Sequence, residues 1–130
     1  MTSYLCDTQV LIWALTSPKL LSVKARNAIL KADHEIWVSA ASAYEIAFKY
    51  QVGKLPAVEP LISSFSRQVA NLRASELAVD STHAIEAGRL DWQHRDPFDR
   101  ILLAQATIEG LTLITADDTL RDFAPLNTFW

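Results

Sequence analysis

The chain has one cysteine and three glycines in 130 residues. A lone thiol cannot close an intramolecular disulfide, which excludes a stapled secreted scaffold and favours an intracellular setting. Cys6 lies inside an apolar run, where it reads as a small buried hydrophobe. So few glycines build no phosphate-cradling loop, and no Gly-x-Ser-x-Gly elbow occurs. Positive charge is not in excess either. The 12 Lys and Arg face 15 Asp and Glu, a formal net charge of −3, so a globally basic nucleic-acid-binding surface is excluded. His34, His83 and His94 share no ligand spacing with one another or with Cys6, which argues against zinc and leaves them as surface or internally satisfied side chains. No basic region followed by a long apolar stretch opens the chain, and Asp7 interrupts its first hydrophobic run. Neither a signal peptide nor a membrane span is expected, and the localisation expected is cytoplasmic.

What is present is apolar material, 50% of the chain, enough for the core of one domain spanning residues 1–130. Tyr4-Leu5-Cys6 reads as a buried strand ending at Asp7. A helix follows over Val10 to Leu15, and Ser22 caps a second one carrying Val23, Ala25, Ile29 and Leu30. Ile36-Trp37-Val38 is the next strand. Ser39 or Ser42 starts a helix that runs through Glu45 to Gly53, and Pro56 and Pro60 punctuate the loop beyond. Leu61, Phe65, Val69 and Leu72 predict one amphipathic helix. Leu77-Ala78-Val79 is expected as a strand, Asp80 or Ser81 as the cap of a helix with Ile85, Ala87 and Leu90. A longer helix runs from Asp96 to Gly110. Leu111 to Ile114 is a strand, Leu120 to Phe123 a helical turn, and Thr128-Phe129-Trp130 an edge strand. Strands alternating with helices imply parallel crossovers, hence a three-layer α/β/α fold with a mainly parallel central sheet.

Ligands bind such sheets beyond the carboxyl ends of the strands, and Asp7 and Asp117 stand at two of those ends. Asp96 occupies an N-cap position, Pro97 the first helical position and Asp99 the third, so both acids fall in the electropositive first turn. Glu45 lies early in its own helix. Local sequence also offers each acid an ordinary use. Glu45 can close a capping box with Ser42 or pair with Lys49, Asp96 can simply cap, and Asp117 can be a loop acid beside Asp118. Asp7 is hardest to dismiss, because a carboxylate directly after an apolar strand is poorly solvated. Gathered together, the acids would raise each other's pKa and call for a cation. Oxygen donors without Cys or His favour magnesium, with manganese as the alternative, and metal-activated water suits phosphodiester hydrolysis. Lys49, Lys54, Arg95 and Arg100 flank the acids and can either contact phosphates or pair with those same acids.

Four segments carry a resemblance that covers essentially the whole chain. Leu5-Cys-Asp-Thr-Gln-Val-Leu-Ile-Trp13, Val38-Ser-Ala-Ala-Ser-Ala-Tyr-Glu-Ile-Ala-Phe-Lys49 with Gly53-Lys-Leu55, His94-Arg-Asp-Pro-Phe-Asp-Arg-Ile-Leu-Leu-Ala-Gln-Ala106 and Leu113-Ile-Thr-Ala-Asp117 resemble PIN-domain ribonucleases of the VapC toxin type. The resemblance implies a magnesium site built from Asp7, Glu45, Asp99 and Asp117, with Asp96 as a candidate outer contributor. It also implies endonucleolytic RNA cleavage, a homodimer and a VapB-like antitoxin that occludes the site. Gln9 stands where relatives often carry His, a departure that touches loop packing or substrate contact more than metal binding. The apolar faces around Leu11, Trp13, Leu61 and Phe65 are read mainly as core, with part of that surface available to a dimer or antitoxin.

Two rival readings share parts of this pattern. A haloacid-dehalogenase-like phosphatase also places an Asp after its first strand, but needs a second Asp two residues later, where Gln9 stands. A catalytically silent PIN-like module binding protein or RNA is the alternative from another class, and the full acidic set argues against it.

Overall fold

The computed structural model describes residues 2–31, 33–55 and 58–130. Its five strands, β1 (Ser3–Cys6), β2 (Glu35–Ser39), β3 (Ala74–Leu77), β4 (Thr112–Ile114) and β5 (Thr128–Phe129), pair in the order β3-β2-β1-β4-β5, all in parallel. Strand side chains alternate between faces, and the two faces bury different sets. Tyr4, Cys6, Ile36, Val38 and Ile114 join one core with Val10, Leu11, Ala25, Ile29, Leu61 and Val69. Leu5 and Leu113 join the other with Leu102, Leu103, Ala106 and Leu120. The sheet is therefore covered on both sides, as the three-layer expectation requires, and Cys6 is fully buried.

Helices α1 (Thr8–Thr16), α2 (Val23–Leu30) and α3 (Ala40–Gln51) start at Asp7, Ser22 and Ser39, whose side chains accept backbone N–H groups of the first turn. Ser39 is thus the cap of α3. Ser42 lies inside that helix, buried, where it accepts the Thr8 hydroxyl at 3.0 Å. The capping box offered for Ser42 and Glu45 does not form.

Other expectations are corrected. The single amphipathic helix is two, α4 (Glu59–Ser63) and α5 (Phe65–Asn71), separated at Ser64. Ser63 and Ser64 hydroxyls bond back to the Glu59 and Pro60 carbonyls, competing with the helical ladder at the break. Pro60 sits in the first turn of α4 rather than in a loop, a position that needs no intrahelical N–H. Pro56 lies outside the described residues. Strand β3 begins three residues earlier than Leu77, because its register is set by pairing with β2, Ile36 opposite Ala74 through Ser39 opposite Leu77. It is an edge strand, half covered, so apolar content did not mark it.

Helix α6 (Ser81–Arg89) starts at Asp80, which forms a capping box with His83, and buried His83 also meets Glu109 at 2.8 Å. Helix α7 (Pro97–Glu109) begins at Asp96 and ends at Gly110, whose φ of 68° is the left-handed conformation glycine tolerates. A last helix, α8 (Asp118–Phe123), begins at Asp117.

Candidate active site

The strand order places β1 between β2, which follows it, and β4, which is reached only after the chain has gone out to the edge and returned. Connections leave in opposite directions from the β1 and β4 ends, opening a crevice there. The Asp7 N–H bonds to the Ile114 carbonyl at 3.0 Å across that point. A cleft of about 400 Å³ opens above it, lined by Asp7, Glu45, Asp96, Asp99 and Asp117. Trp13, Ile12 and Leu55 form its apolar wall, and among the described residues Lys49 is the one basic side chain in the lining.

Asp7 is 7% exposed, and its Oδ1 accepts the Val10 N–H at 2.7 Å. Burial pushes its pKa from the ordinary 3.8 up to about 6. Hydrogen bonds from the Thr115 side chain and the Val10 backbone hold the rise back, while the charges of Asp99 and Asp117 add to it. Buried Thr115 also accepts the Asp117 N–H at 3.1 Å, so one hydroxyl serves the ends of both central strands.

Glu45 is 6% exposed and meets the Lys49 ammonium at 2.7 Å one helical turn on. The pair anticipated from sequence exists, but on the cleft side rather than as an exposed pair. That hydrogen bond raises the Lys49 pKa, more than burial lowers it. The Thr8 to Ser42 hydroxyl bond ties the start of α1 to α3 and so fixes Glu45's helix against Asp7's strand.

Asp96 is the cap of α7, with one carboxylate oxygen accepting the Phe98 and Asp99 N–H groups at 2.9 and 3.2 Å. Asp99 projects from the third position of the helix and is half-buried. Its pKa is raised by burial, lowered by its hydrogen bond to His94 and raised by the charges of Asp96 and Asp117. Asp117 is exposed and caps α8 through the Thr119 N–H at 2.8 Å. The ordinary capping use of Asp96 is therefore real, while Asp117, offered as a loop acid, is a helix cap instead, and both roles coexist with membership of the cleft.

His94 is the residue that sequence reasoning passed over. Its Nε2 lies 2.7 Å from Asp99 Oδ2, and one donor atom each from His94, Asp96 and Asp99 lie within 4.8 Å of one another. The available signal was its place two residues before the Asp96 cap, not any spacing to another histidine. Arg100 departs from both of its anticipated uses. Among the described residues its guanidinium pairs with no acid, and it donates instead to backbone carbonyls.

Five carboxylates lining one cleft form a hard oxygen donor set whose mutual repulsion adds to the raised pKa values of Asp7 and Asp99. That chemistry fits a divalent cation.

Comparison with known proteins agrees with this arrangement. The PIN-domain family profile matches residues 4–125. Ribonuclease VapC22 of Mycobacterium tuberculosis (strain ATCC 25618 / H37Rv) is 31% identical over 122 residues, 93% of this chain and 92% of that protein. Ribonuclease VapC16 of the same strain is 38% identical over 60 residues, 46% of this chain and 43% of its own. Among solved structures, VapBC2 from Rickettsia felis bound to a promoter DNA fragment superposes with a TM-score of 0.71 at 17% identity, covering 98% of both chains. A toxin-antitoxin complex from Klebsiella pneumoniae gives 0.65 at 18%, covering 98% of this chain and 96% of that one. The shared fold and the near full-length match show that this chain belongs to the PIN-domain family, as a homologue of VapC ribonucleases.

Proposed function

We propose that the chain is a magnesium-dependent endoribonuclease, the toxin of a VapBC-type pair, acting as one PIN domain. The observation that carries this reading is the cleft at the β1/β4 switch point, which five carboxylates line together with one lysine paired to Glu45. Asp7, Asp99 and Asp117 would hold the metal directly or through water, with Glu45 completing the shell or orienting a water and Asp96 an outer contributor. A bound divalent cation supplies charge neutralisation at phosphoryl oxygens and makes a nearby water more acidic. The protein supplies the rest. Asp7 is held by a buried hydrogen bond from the Val10 N–H, Lys49 steadies Glu45, and the apolar wall of Ile12, Trp13 and Leu55 limits water on one side of the cleft.

An acidic cleft suits a basic segment of a VapB-like antitoxin, and the two structural neighbours are themselves toxin-antitoxin assemblies. For a homodimer the available surface is the apolar groove beside the cleft, lined by Tyr44, Phe48, Phe98 and Ile101, with Tyr44 62% and Phe48 50% exposed. Light scattering on the isolated chain should give twice the 14.5 kDa monomer mass, and a monomer at all concentrations would remove this assignment. Among the described residues no helix is long and apolar enough to cross a membrane.

The decisive experiment incubates antitoxin-free protein with a mixed pool of structured RNA, with magnesium or chelator, beside Asp99→Asn. Magnesium-dependent fragments from the wild type alone are expected. Metal binding with no turnover of any RNA would instead favour the catalytically silent module.

A further inference from the structure

Arg100 makes an unusual commitment. Its Nε donates to the Ala87 carbonyl at 2.9 Å, one Nη to Trp92 and His94 at 2.8 Å each, and the other to Leu90 at 2.7 Å and, at the limit of contact, Gly88 at 3.5 Å. A guanidinium has five N–H donors, and these five bonds use them all. None is left for a phosphate. The carbonyls belong to the last turn of α6 and to the segment that follows it, so one cation satisfies the electronegative end of a helix and gathers residues 90–94 around itself.

That segment ends at His94, and Arg100 is the next residue after Asp99. One guanidinium thus ties the backbone of His94 to the helix turn from which Asp99 projects, while His94 Nε2 holds Asp99 Oδ2 at 2.7 Å. The ring is braced from behind. Trp92 packs on His94 with centroids 4.7 Å apart, and Phe123 of α8 stacks on Trp92 at 4.5 Å and 14°. Helix α8 is the one that Asp117 caps.

We propose that Arg100 and His94 are positioning residues: Arg100 shapes the 90–94 segment so that His94 fixes one oxygen of Asp99 and leaves the other directed to the cation site. This rests on the nuclease reading for its consequence in catalysis, but not for its consequence in metal binding. A half-buried aspartate at a helix start has free side-chain rotation unless something holds it, and partners that orient a metal-binding carboxylate are worth about 10- to 100-fold in affinity or activity. Charge alone does not do this. Lysine in place of Arg100 keeps the cation but cannot reach five carbonyls from one planar fork.

The test compares wild type with His94→Ala, His94→Gln and Arg100→Lys by calorimetric Mn²⁺ binding, RNA-cleavage kinetics and urea unfolding. His94→Ala should weaken Mn²⁺ binding and lower kcat by about tenfold or more, with KM for RNA nearly unchanged. His94→Gln, which keeps an N–H near the Nε2 position, should recover most of both. Arg100→Lys should behave as His94→Ala does. Wild-type Mn²⁺ affinity in His94→Ala, or no rescue by His94→Gln, would overturn the role of His94. A raised KM with unchanged kcat in Arg100→Lys would make Arg100 a phosphate contact instead. Should Arg100→Lys unfold, the His94 pair still decides, since that ring is partly solvent-exposed. If the wild type cleaves no RNA at all, the nuclease reading fails while the Mn²⁺ comparison still judges the positioning.

Discussion

Replacing Asp7 by Asn should make the metal-free protein more stable while removing its metal-dependent activity. The side chain is 7% exposed and its pKa is pushed from 3.8 to about 6, chiefly by burial. At about 1.4 kcal/mol for each pH unit of that difference, keeping Asp7 ionised inside the fold costs about 3 kcal/mol. The sign follows from proton binding. The folded-state pKa lies above the unfolded one, so the folded chain binds the extra proton between roughly pH 4 and 6. The stability contributed by Asp7 is full below pH 3.8 and is lost as pH rises through about 6. Asn cannot ionise, and its carbonyl can still accept the Val10 N–H. With chelator at pH 7.5, Asp7→Asn should therefore unfold about 3 kcal/mol later than wild type, about 10 °C in Tm for a chain of this size. Near pH 3.8 the two should converge. Urea unfolding at both pH values measures this, and adding magnesium at pH 7.5 should stabilise the wild type and not the variant. A variant no more stable than wild type at pH 7.5, or equally advantaged at both pH values, would show that Asp7 is not held at a desolvation cost.

Lys49→Met should lower metal-free stability by about 1 to 3 kcal/mol, because it leaves the Glu45 side chain, 8% exposed, without its 2.7 Å partner. An unchanged urea midpoint would mean the pair contributes nothing. Cys6 should resist iodoacetamide at pH 8 in the native state, since burial chiefly, with the neighbouring Asp7 charge, pushes its thiol up to about 12. Labelling should follow unfolding, and prompt labelling of the folded protein would contradict its burial.

Much of the site was legible as local chemistry. Asp96-Pro97 with Asp99 two residues on announces a helix start, and that helix runs from Pro97 to Glu109 with Asp96 as its cap. Likewise the apolar run before Asp7 announced a strand end, because a buried parallel strand has no solvated face on which to place a charge. Where local signals were weak the sequence misled. The polar edge strand β3 gave no apolar run, and the serine-driven break at Ser64 was invisible in an otherwise regular apolar spacing. Partner choice was equally hidden. Nothing near Arg100 in sequence says that its guanidinium will take carbonyls from 87 to 94 rather than an adjacent acid, since that depends on where the end of α6 lands.

Apart from the edge strand β3 and the break between α4 and α5, the sequence by itself determined which segments become helices and strands and where the five acids stand on them, because caps, periodicity and apolar runs act over a few residues. Tertiary structure alone decided that β4 returns to the far side of β1. That choice is made by pairing and packing between residues about a hundred positions apart, Tyr4 opposite Thr112 and Cys6 opposite Ile114. It creates the switch-point crevice, buries Asp7 beside Thr115, and brings the acids close enough for their charges to act on one another.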